Sequence, residues 1–278
     1  MPVNEAPDPN AFRDFEHAGW ESNVSEYEDA FARLTRQAIG PLLDAVELRP
    51  GIRLLDIATG PGYVAAAAAA RGARVVGIDF SAPMVARARE LNPAIEFQEG
   101  DAEELSFPDA SFDAVVMNFG ILHLARPERA MDQAARVLKP GGRFAFTAWA
   151  KPEEAVGFGM ILNAIQSQGN PEVQLPQGPP FFRFSDQAEC ERTLRAAGFQ
   201  DVKVSRTQQV WRFNAPDEPL EAFYNGGVRI KAILRAQSSE ALEAIRMAVR
   251  EAAKKFIRNG FIEIPMPAVL ASALKPAR

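Results

Sequence analysis

The stretch LLDIATGPG, residues 54–62, is the part of this chain that indicates its fold. A short apolar run ends in Asp56, Gly60 and Gly62 follow, and an alanine-rich segment begins directly after them. This order predicts a buried strand, a tight turn and the start of a helix. Glycine lets the backbone approach a ligand without a Cβ in the way, and a helix N-terminus offers free N–H groups. The turn therefore predicts a site for a nucleotide-like or anionic ligand.

The glycine pattern alone does not identify that ligand. The dinucleotide fingerprint G-x-G-x-x-G is met only in its looser form, because Ala65 stands at the third position, and an ordinary strand-to-helix turn is the alternative. A second apolar run, residues 74–79, ends in Asp79. This is near the spacing at which a second-strand carboxylate meets a ribose diol, so the two signals together favour a ligand with a ribose.

Three more signals follow in order. Gly100 and Asp101 come after a third short apolar run, a fourth run occupies residues 111–116, and residues 138–144 read LKPGGRF. With these signals the chain resembles the class I S-adenosylmethionine-dependent methyltransferases, in particular the small-molecule subgroup of ubiquinone and menaquinone biosynthesis. The resemblance is strong over residues 50–150 and weak over 180–213 and 261–273.

The fold expected from these patterns is α/β. Strands and helices alternate to about residue 150, which predicts parallel strands with right-handed crossovers. The resemblance implies a Rossmann-like, doubly wound sheet of seven strands, mostly parallel, with an antiparallel last strand beside the sixth and helical cap insertions. Residues 201–213 and 261–273 would be those two strands.

The expected organisation has five parts. They are an N-terminal helical lid at 1–48, a cofactor-binding core at 49–150, an irregular substrate-side insertion at 151–184 that is rich in Gly, Pro and Gln, the remainder of the core at 185–213 and 261–278, and a helical cap at 214–260.

The resemblance implies S-adenosylmethionine as the cofactor. Asp56 is expected to help hold the methionine ammonium or to cap the turn's own N–H groups. Asp79 is expected to accept hydrogen bonds from the ribose hydroxyls or to cap the next helix. Met84 packs either on adenine or in the helix core, and Asp101 reads the adenine amine or is a solvated loop acid. The expected cofactor residues are Tyr27, Asp56, Ala58, Gly60, Gly62, Asp79, Phe80, Met84, Asp101, Ala102, Asn118 and Phe119.

The acceptor side is predicted from aromatic residues and one histidine. His123 follows the fourth strand, and histidine is the residue type best suited to act as a general base near neutral pH, so His123 is a candidate for that role; a packed histidine is the alternative. Trp20 and Tyr27 either face the sulfonium or pack in the core. The expected acceptor-binding residues are Trp20, Phe182, Arg183, Phe223 and Tyr224.

Methyl transfer from a sulfonium is a direct displacement with a neutral leaving group. Alignment and exclusion of water supply much of the acceleration, and a base is needed only when the acceptor must lose a proton. The acceptor expected here is a small, largely apolar metabolite that is methylated on carbon, oxygen or nitrogen.

Composition excludes several other classes of protein. The chain has 278 residues, a net charge of -5 and a single cysteine, so a nucleic-acid partner, an internal disulfide and a multi-cysteine metal site are not expected. No signal peptide and no membrane-spanning run of residues is visible, which favours a cytoplasmic protein. No metal site is expected. A homodimer is left open.

Two other functions fit parts of the pattern. A nicotinamide-dependent oxidoreductase would use the same general fold, but no convincing Tyr/Lys pair is present. A non-catalytic nucleoside-binding protein would keep the same turn, because the cofactor motif is a binding motif.

Overall fold

A seven-stranded sheet forms the centre of the computed structural model, which describes residues 8–277. Its strands are β1 (Arg53–Ile57), β2 (Arg74–Asp79), β3 (Glu96–Glu99), β4 (Phe112–Asn118), β5 (Leu138–Trp149), β6 (Gln200–Thr207) and, numbered in chain order after three short strands, β10 (Ala268–Leu274). The order is β3-β2-β1-β4-β5-β10-β6. The first five strands are parallel, and β10 lies antiparallel between β5 and β6. The predicted doubly wound sheet with one antiparallel strand is confirmed.

The helices cover both faces of this sheet and one of its ends. They are α1 (Pro9–Glu21), α2 (Val24–Ala30), α3 (Ala32–Thr35), α4 (Ile39–Ala45), α5 (Tyr63–Ala70), α6 (Ala82–Leu91), α7 (Pro127–Val137), α8 (Val156–Gln168), α9 (Gln187–Ala196), α10 (Glu218–Gly226), α11 (Arg229–Arg235) and α12 (Ser239–Lys254). One core packs α7 and α9 on the sheet, and another packs α4 and α5 on its opposite face. Among residues 8–277, no helix is long and apolar enough to cross a membrane.

A second, smaller sheet belongs to the cap. It consists of β7 (Val210–Phe213), β8 (Ile257–Arg258) and β9 (Phe261–Pro265), in the order β7-β9-β8. Its apolar side chains join those of α8, α10 and α12 in a third core, which includes Phe158, Trp211 and Phe223. This core gives the chain an apolar roof over one end of the main sheet.

The prediction of one strand at 201–213 and one at 261–273 is wrong in detail. Each segment crosses from one sheet to the other, so β6 and β10 lie in the main sheet while β7 and β9 lie in the small one. The two crossings are joined by a hydrogen bond from Met266 N to Gln209 O of 2.9 Å. Pro267 follows directly, and because proline has no N–H it cannot continue the ladder.

The prediction of an irregular insertion at 151–184 is also wrong over Val156–Gln168, which forms α8. Phe158, Ile161 and Ile165 are buried and have helical spacing. Glycine at position 157 lets the backbone of α8 lie close to Met266. A Cβ there would be only 2.7 Å from Met266 Sδ, so a larger residue would not fit without a shift.

The predicted lid begins before the first described residue, and the last part of the predicted core ends after the last one. Residues 1–7 of the segment 1–48, and residue 278 of the segment 261–278, lie outside the described residues. From residue 9 onward the N-terminal segment is helical.

Candidate active site

A cavity lies at the carboxyl ends of β1, β2 and β4, roofed by the N-terminal helices and the cap. This is the position at which open parallel sheets bind ligands, because the strand order reverses there. Most of the predicted site residues line it. They are Trp20, Tyr27, Ala58, Gly60, Asp79, Phe80, Met84, Asp101, Ala102, Asn118, Phe119, His123, Phe182 and Phe223.

The turn after β1 is held from below by the second strand. Asp79 is buried, and its carboxylate accepts hydrogen bonds from Gly60 N at 2.8 Å and from Ser81 N at 3.0 Å. Loss of solvation by burial raises the pKa of Asp79 to about 6. One carboxylate thereby ties the turn to the start of α6 and also faces the cavity.

The turn leaves room for a ligand on its cavity side. Gly60 has φ 52°, and a Cβ built there would meet nothing within 4 Å. The chain therefore presents bare backbone and open space at this point, which fits the close approach of a nucleoside or amino-acid group.

Gly62 and Asp56 do not line the cavity, contrary to their expected contact with the cofactor. Gly62 has φ 81°, and a Cβ there would lie 2.8 Å from the Phe97 ring, so the glycine serves packing. Asp56 lies wholly buried beneath the turn and accepts hydrogen bonds from Thr59 Oγ1 at 2.5 Å and Ala65 N at 3.1 Å. Of the two interpretations of Asp56, the structure supports capping.

The buried position of Asp56 has an electrostatic consequence. Its Oδ1 has no hydrogen-bond partner among the described residues. Burial raises the pKa of Asp56 to about 7, and the neighbouring Asp79 adds to this shift.

The far end of the cavity is formed after β2 and β3. Met84 is buried and lines the cavity beside Phe80. Asp101 accepts a hydrogen bond from Glu103 N at 2.8 Å, and its other oxygen lies 2.7 Å from Arg13 Nη2. Sequence analysis did not anticipate Arg13, which reaches this end of the cavity from α1.

The residues after β4 form the floor of the cavity. Thr147 Oγ1 donates a hydrogen bond to Asn118 Oδ1 at 2.7 Å and accepts one from Phe119 N at 2.9 Å. Phe119 has φ 57°, uncommon for a residue with a side chain, and its ring lies 4.1 Å from that of Trp149. Tyr27 shares a 2.9 Å hydrogen bond with Thr35, and burial raises the pKa of its hydroxyl to about 12.

His123 lines the cavity and contacts a carboxylate that lies behind the wall. Its Nδ1 is 2.9 Å from Oε2 of Glu16, a carboxylate that is wholly buried on α1. The Trp20 ring packs edge-on against the imidazole at 4.9 Å, and the Phe181 ring lies 6.2 Å away. Sequence analysis missed Glu16, although its position four residues after the buried Phe12 on α1 was a usable signal.

The acceptor side is aromatic and aliphatic. Besides Phe182 and Phe223, it contains Phe31 and Phe181, and residues that sequence analysis did not single out: Trp149, Phe158, Leu162, Val228, Arg229, Ile230 and Ile233. Most of them lie on α8, α10, α11 and the segment before α9, elements that are far apart in the sequence.

Arg183 and Tyr224 do not line the cavity, so the structure does not bring them together with the other residues predicted to bind the acceptor. The Arg183 guanidinium pairs with Glu128 and Glu189 and lies over the Phe184 ring. Tyr224 follows Phe223 on α10, so it faces another direction and packs under the Arg235 guanidinium.

Comparison with known proteins agrees with this geometry. Residues 55–146 match the family model described as "Methyltransferase domain". The chain is 36% identical over 181 residues to a demethylmenaquinone methyltransferase of Beutenbergia cavernae, covering 61% of this chain and 73% of that protein. It is 30% identical over 234 residues to an uncharacterized protein of Mycobacterium tuberculosis, covering 81% and 83%.

The fold is also shared with solved structures. Phosphoethanolamine N-methyltransferase 2 of Haemonchus contortus, in complex with phosphomonomethylethanolamine and S-adenosylhomocysteine, superimposes with a TM-score of 0.57. The two chains are 20% identical, and the match covers 95% of this chain and 60% of that one, so the likeness shows the fold alone. A sheet with this strand order, a ligand cavity at its switch point and these relatives together place the chain among the S-adenosylmethionine-dependent methyltransferases.

Proposed function

We propose that the protein transfers a methyl group from S-adenosylmethionine to a small, largely apolar acceptor whose proton is removed by His123. One observation carries this proposal. The polar lining around Gly60, Asp79 and Asp101 and the aromatic lining around Phe158 and Phe182 belong to one cavity, and His123 lies on its wall. When bound, the cofactor supplies an electrophilic methyl group and a neutral leaving sulfide.

The residues after β1, β2 and β3 would hold the cofactor. Asp79 accepts hydrogen bonds from two backbone N–H groups, but a carboxylate has about four lone-pair sites, so its remaining sites would accept hydrogen bonds from the ribose hydroxyls. Asp101 and Ala102 would meet the polar edge of adenine, while Met84 and Phe80 would flank its faces.

Arg36 would bind the carboxylate of the methionine moiety. Its guanidinium lines the cavity and lies 4.7 Å from the centroid of the Tyr63 ring. Among residues 8–277 no carboxylate pairs with it. A cation held on an aromatic ring, without a partner of its own, is suited to an anionic group of a ligand.

The acceptor would lie against the aromatic rings of the cap. Phe158 packs with Phe181, Phe182 and Phe223 at centroid distances of 5.1 to 5.5 Å, so the wall is a continuous apolar surface. One relative is named for demethylmenaquinone, and an apolar ring of that kind fits such a wall.

His123 would take the proton that the acceptor loses. Histidine suits this task because it titrates near neutral pH. No general acid is needed on the other side, because the leaving group is neutral. The aromatic enclosure excludes water and aligns the acceptor, which are the remaining sources of acceleration.

A nucleic-acid substrate is not part of this proposal, and the predicted location is the cytoplasm. The net charge of -5 disfavours a phosphate backbone as the main partner. Size-exclusion chromatography with light scattering would decide between a monomer and a homodimer.

Methyl transfer from radiolabelled S-adenosylmethionine tests the proposed function. The acceptors are a reduced demethylmenaquinone with a short prenyl chain and, as a polar control, phosphoethanolamine. We expect label in the quinol. Label in phosphoethanolamine alone would refute the apolar acceptor, and calorimetry that detects binding of NAD but not of S-adenosylhomocysteine would refute the cofactor.

A further inference from the structure

Glu16 is a buried carboxylate that the proposed chemistry has not yet used. Its side chain has no exposed surface, one oxygen lies 2.9 Å from His123 Nδ1, and the other has no partner among the described residues. Burial of a carboxylate is costly unless the group is paired and hydrogen-bonded. One hydrogen bond to a histidine does not offset the cost of burying this carboxylate. The pair therefore has a role beyond stability, and that role concerns the histidine.

The contact determines which imidazole nitrogen is available. A carboxylate only accepts hydrogen bonds, so a Glu16 carboxylate at this distance favours the imidazole tautomer that carries its proton on Nδ1. Nε2 then carries the lone pair, and no hydrogen bond to it occurs within residues 8–277. Trp20 packs on the ring at 4.9 Å and limits its rotation. His123 lines the cavity, whereas Glu16 lies behind it.

We propose that Glu16 is a positioning residue for His123 and keeps Nε2 unprotonated toward the acceptor. This inference rests on the proposed role of His123 as the base. The O–H or C–H bond of the acceptor breaks, its electron pair forms the new bond to the methyl carbon, and the proton moves to Nε2. The imidazolium that results is stabilised by the Glu16 carboxylate, and the bond between sulfur and the methyl carbon breaks with its electrons left on sulfur.

The pair also makes the base dependent on α1. That helix is held at the cofactor end of the cavity by contacts that include Arg13 Nη2 with Asp101 at 2.7 Å, His17 with Phe80 O at 3.1 Å, and Ala82 N with Glu21 at 2.9 Å. Glu16 and Trp20 belong to the same helix. The base is therefore complete only while α1 covers the end of the cavity where the cofactor would bind.

Nitrogen-15 NMR tests the tautomer without any acceptor. The chain has only two histidines, so a His17→Asn variant assigns both ring signals. We expect His123 to carry its proton on Nδ1 in the wild type. In Glu16→Gln the ring should shift toward the Nε2-protonated form, because a carboxamide N–H can donate to Nδ1. An unchanged His123 spectrum in Glu16→Gln overturns the proposal.

The matched control is Asp14→Asn, the same carboxylate-to-amide change two residues earlier on α1. Asp14 is exposed, and its side chain makes no hydrogen bond or ion pair to any residue from 8 to 277. Its variant should leave the His123 spectrum and the melting temperature as in the wild type. If Asp14→Asn changes the spectrum as Glu16→Gln does, the effect comes from helix charge in general and the proposal fails.

Kinetics then separate positioning from structural support. With the quinol acceptor, Glu16→Gln should lower kcat by about 10²–10⁴-fold, the range for general-base catalysis, while KM for S-adenosylmethionine stays unchanged. In a His123→Ala background the same change should cost nothing further, because Glu16 acts through that ring. An equal loss in both backgrounds means structural support and overturns the proposal.

The two measurements can fail independently. A wild-type protein that transfers no methyl group to the quinol refutes the proposed function. The NMR spectra still decide whether Glu16 sets the tautomer of His123.

Discussion

At the scale of single residues, Asp79 shows how one side chain serves both the fold and the ligand end of the cavity. Its carboxylate accepts the N–H groups of Gly60 and Ser81, and it lines the cavity as well. Asp56, the other acid expected here, has only the first of these roles. The two acids differ in their distance from the cavity. Asp56 lies within β1, below the turn, whereas Asp79 is the last residue of β2 and lies beside the turn.

Asp79→Ala should weaken binding of S-adenosylhomocysteine by about 1–3 kcal/mol, the cost of losing hydrogen bonds to a charged group. Calorimetry measures this loss. Asp113→Ala is a control on an acid outside the cavity, paired with Lys139 at 2.7 Å. Equal affinities of the Asp79 variant and the wild type would contradict the predicted ribose contact.

His123→Ala should lower kcat by about 10²–10⁴-fold and leave the affinity for S-adenosylhomocysteine nearly intact, as expected for a general base. Steady-state assays with the quinol and calorimetry with S-adenosylhomocysteine provide the two numbers. A small loss of rate together with a lower melting temperature would instead indicate a packing histidine.

At the scale of elements, the cap is built by helices whose glycines permit close packing. Gly157 on α8 donates its N–H to Met266 Sδ at 3.2 Å, and Met266 is wholly buried. This helix escaped the sequence prediction because Gly, Pro and Gln dominate its neighbourhood. The apolar spacing of Phe158, Ile161 and Ile165 was the stronger signal.

Gly157→Ala should destabilise the fold by about 1–3 kcal/mol, as overpacking of a core does. The matched control is Gly40→Ala on α4, where a Cβ would meet only Arg71 Nη2 at 3.7 Å. That change should be neutral or stabilise by about 0.5–1 kcal/mol, because alanine favours a helix. Urea unfolding of both variants checks the contrast, and equal effects would contradict the packing argument.

At the scale of the whole molecule, two buried acids couple the fold to pH. Burial raises the pKa of Asp56 to about 7 and that of Asp79 to about 6, above the ordinary value of 3.8. The folded protein therefore binds more protons than the unfolded chain between these values. Since stability falls with pH wherever the folded state holds more protons, these groups reduce stability as the pH rises from about 4 to about 7.

Asp56→Asn removes one of these groups. The difference in the free energy of unfolding between wild type and variant should drift in favour of the variant as the pH rises through this window. Urea titrations at several pH values measure the drift. Salt bridges that lower the pKa of other acids, such as Glu189, affect both proteins equally and cancel. A difference that does not vary with pH would contradict the raised pKa of Asp56.

The sequence predicted the central sheet because its signals are local. The alternating runs, the turn at 54–62 and the acid at the end of β2 each depend on neighbours in the chain, and the family resemblance supplied the order of the last strands. The same signals located most of the cavity lining, since the carboxyl ends of parallel strands meet at one edge.

What the sequence by itself determined is therefore the parallel sheet, the ligand turn and the family. Only the tertiary structure decided the partners of the side chains in and around the cavity: Arg183 is paired with Glu128 and Glu189, whereas Glu16 contacts a histidine 107 positions away. Local spacing encodes the period of a strand or helix. It does not encode contacts between distant segments, because these depend on how α1 and the cap fold over the sheet.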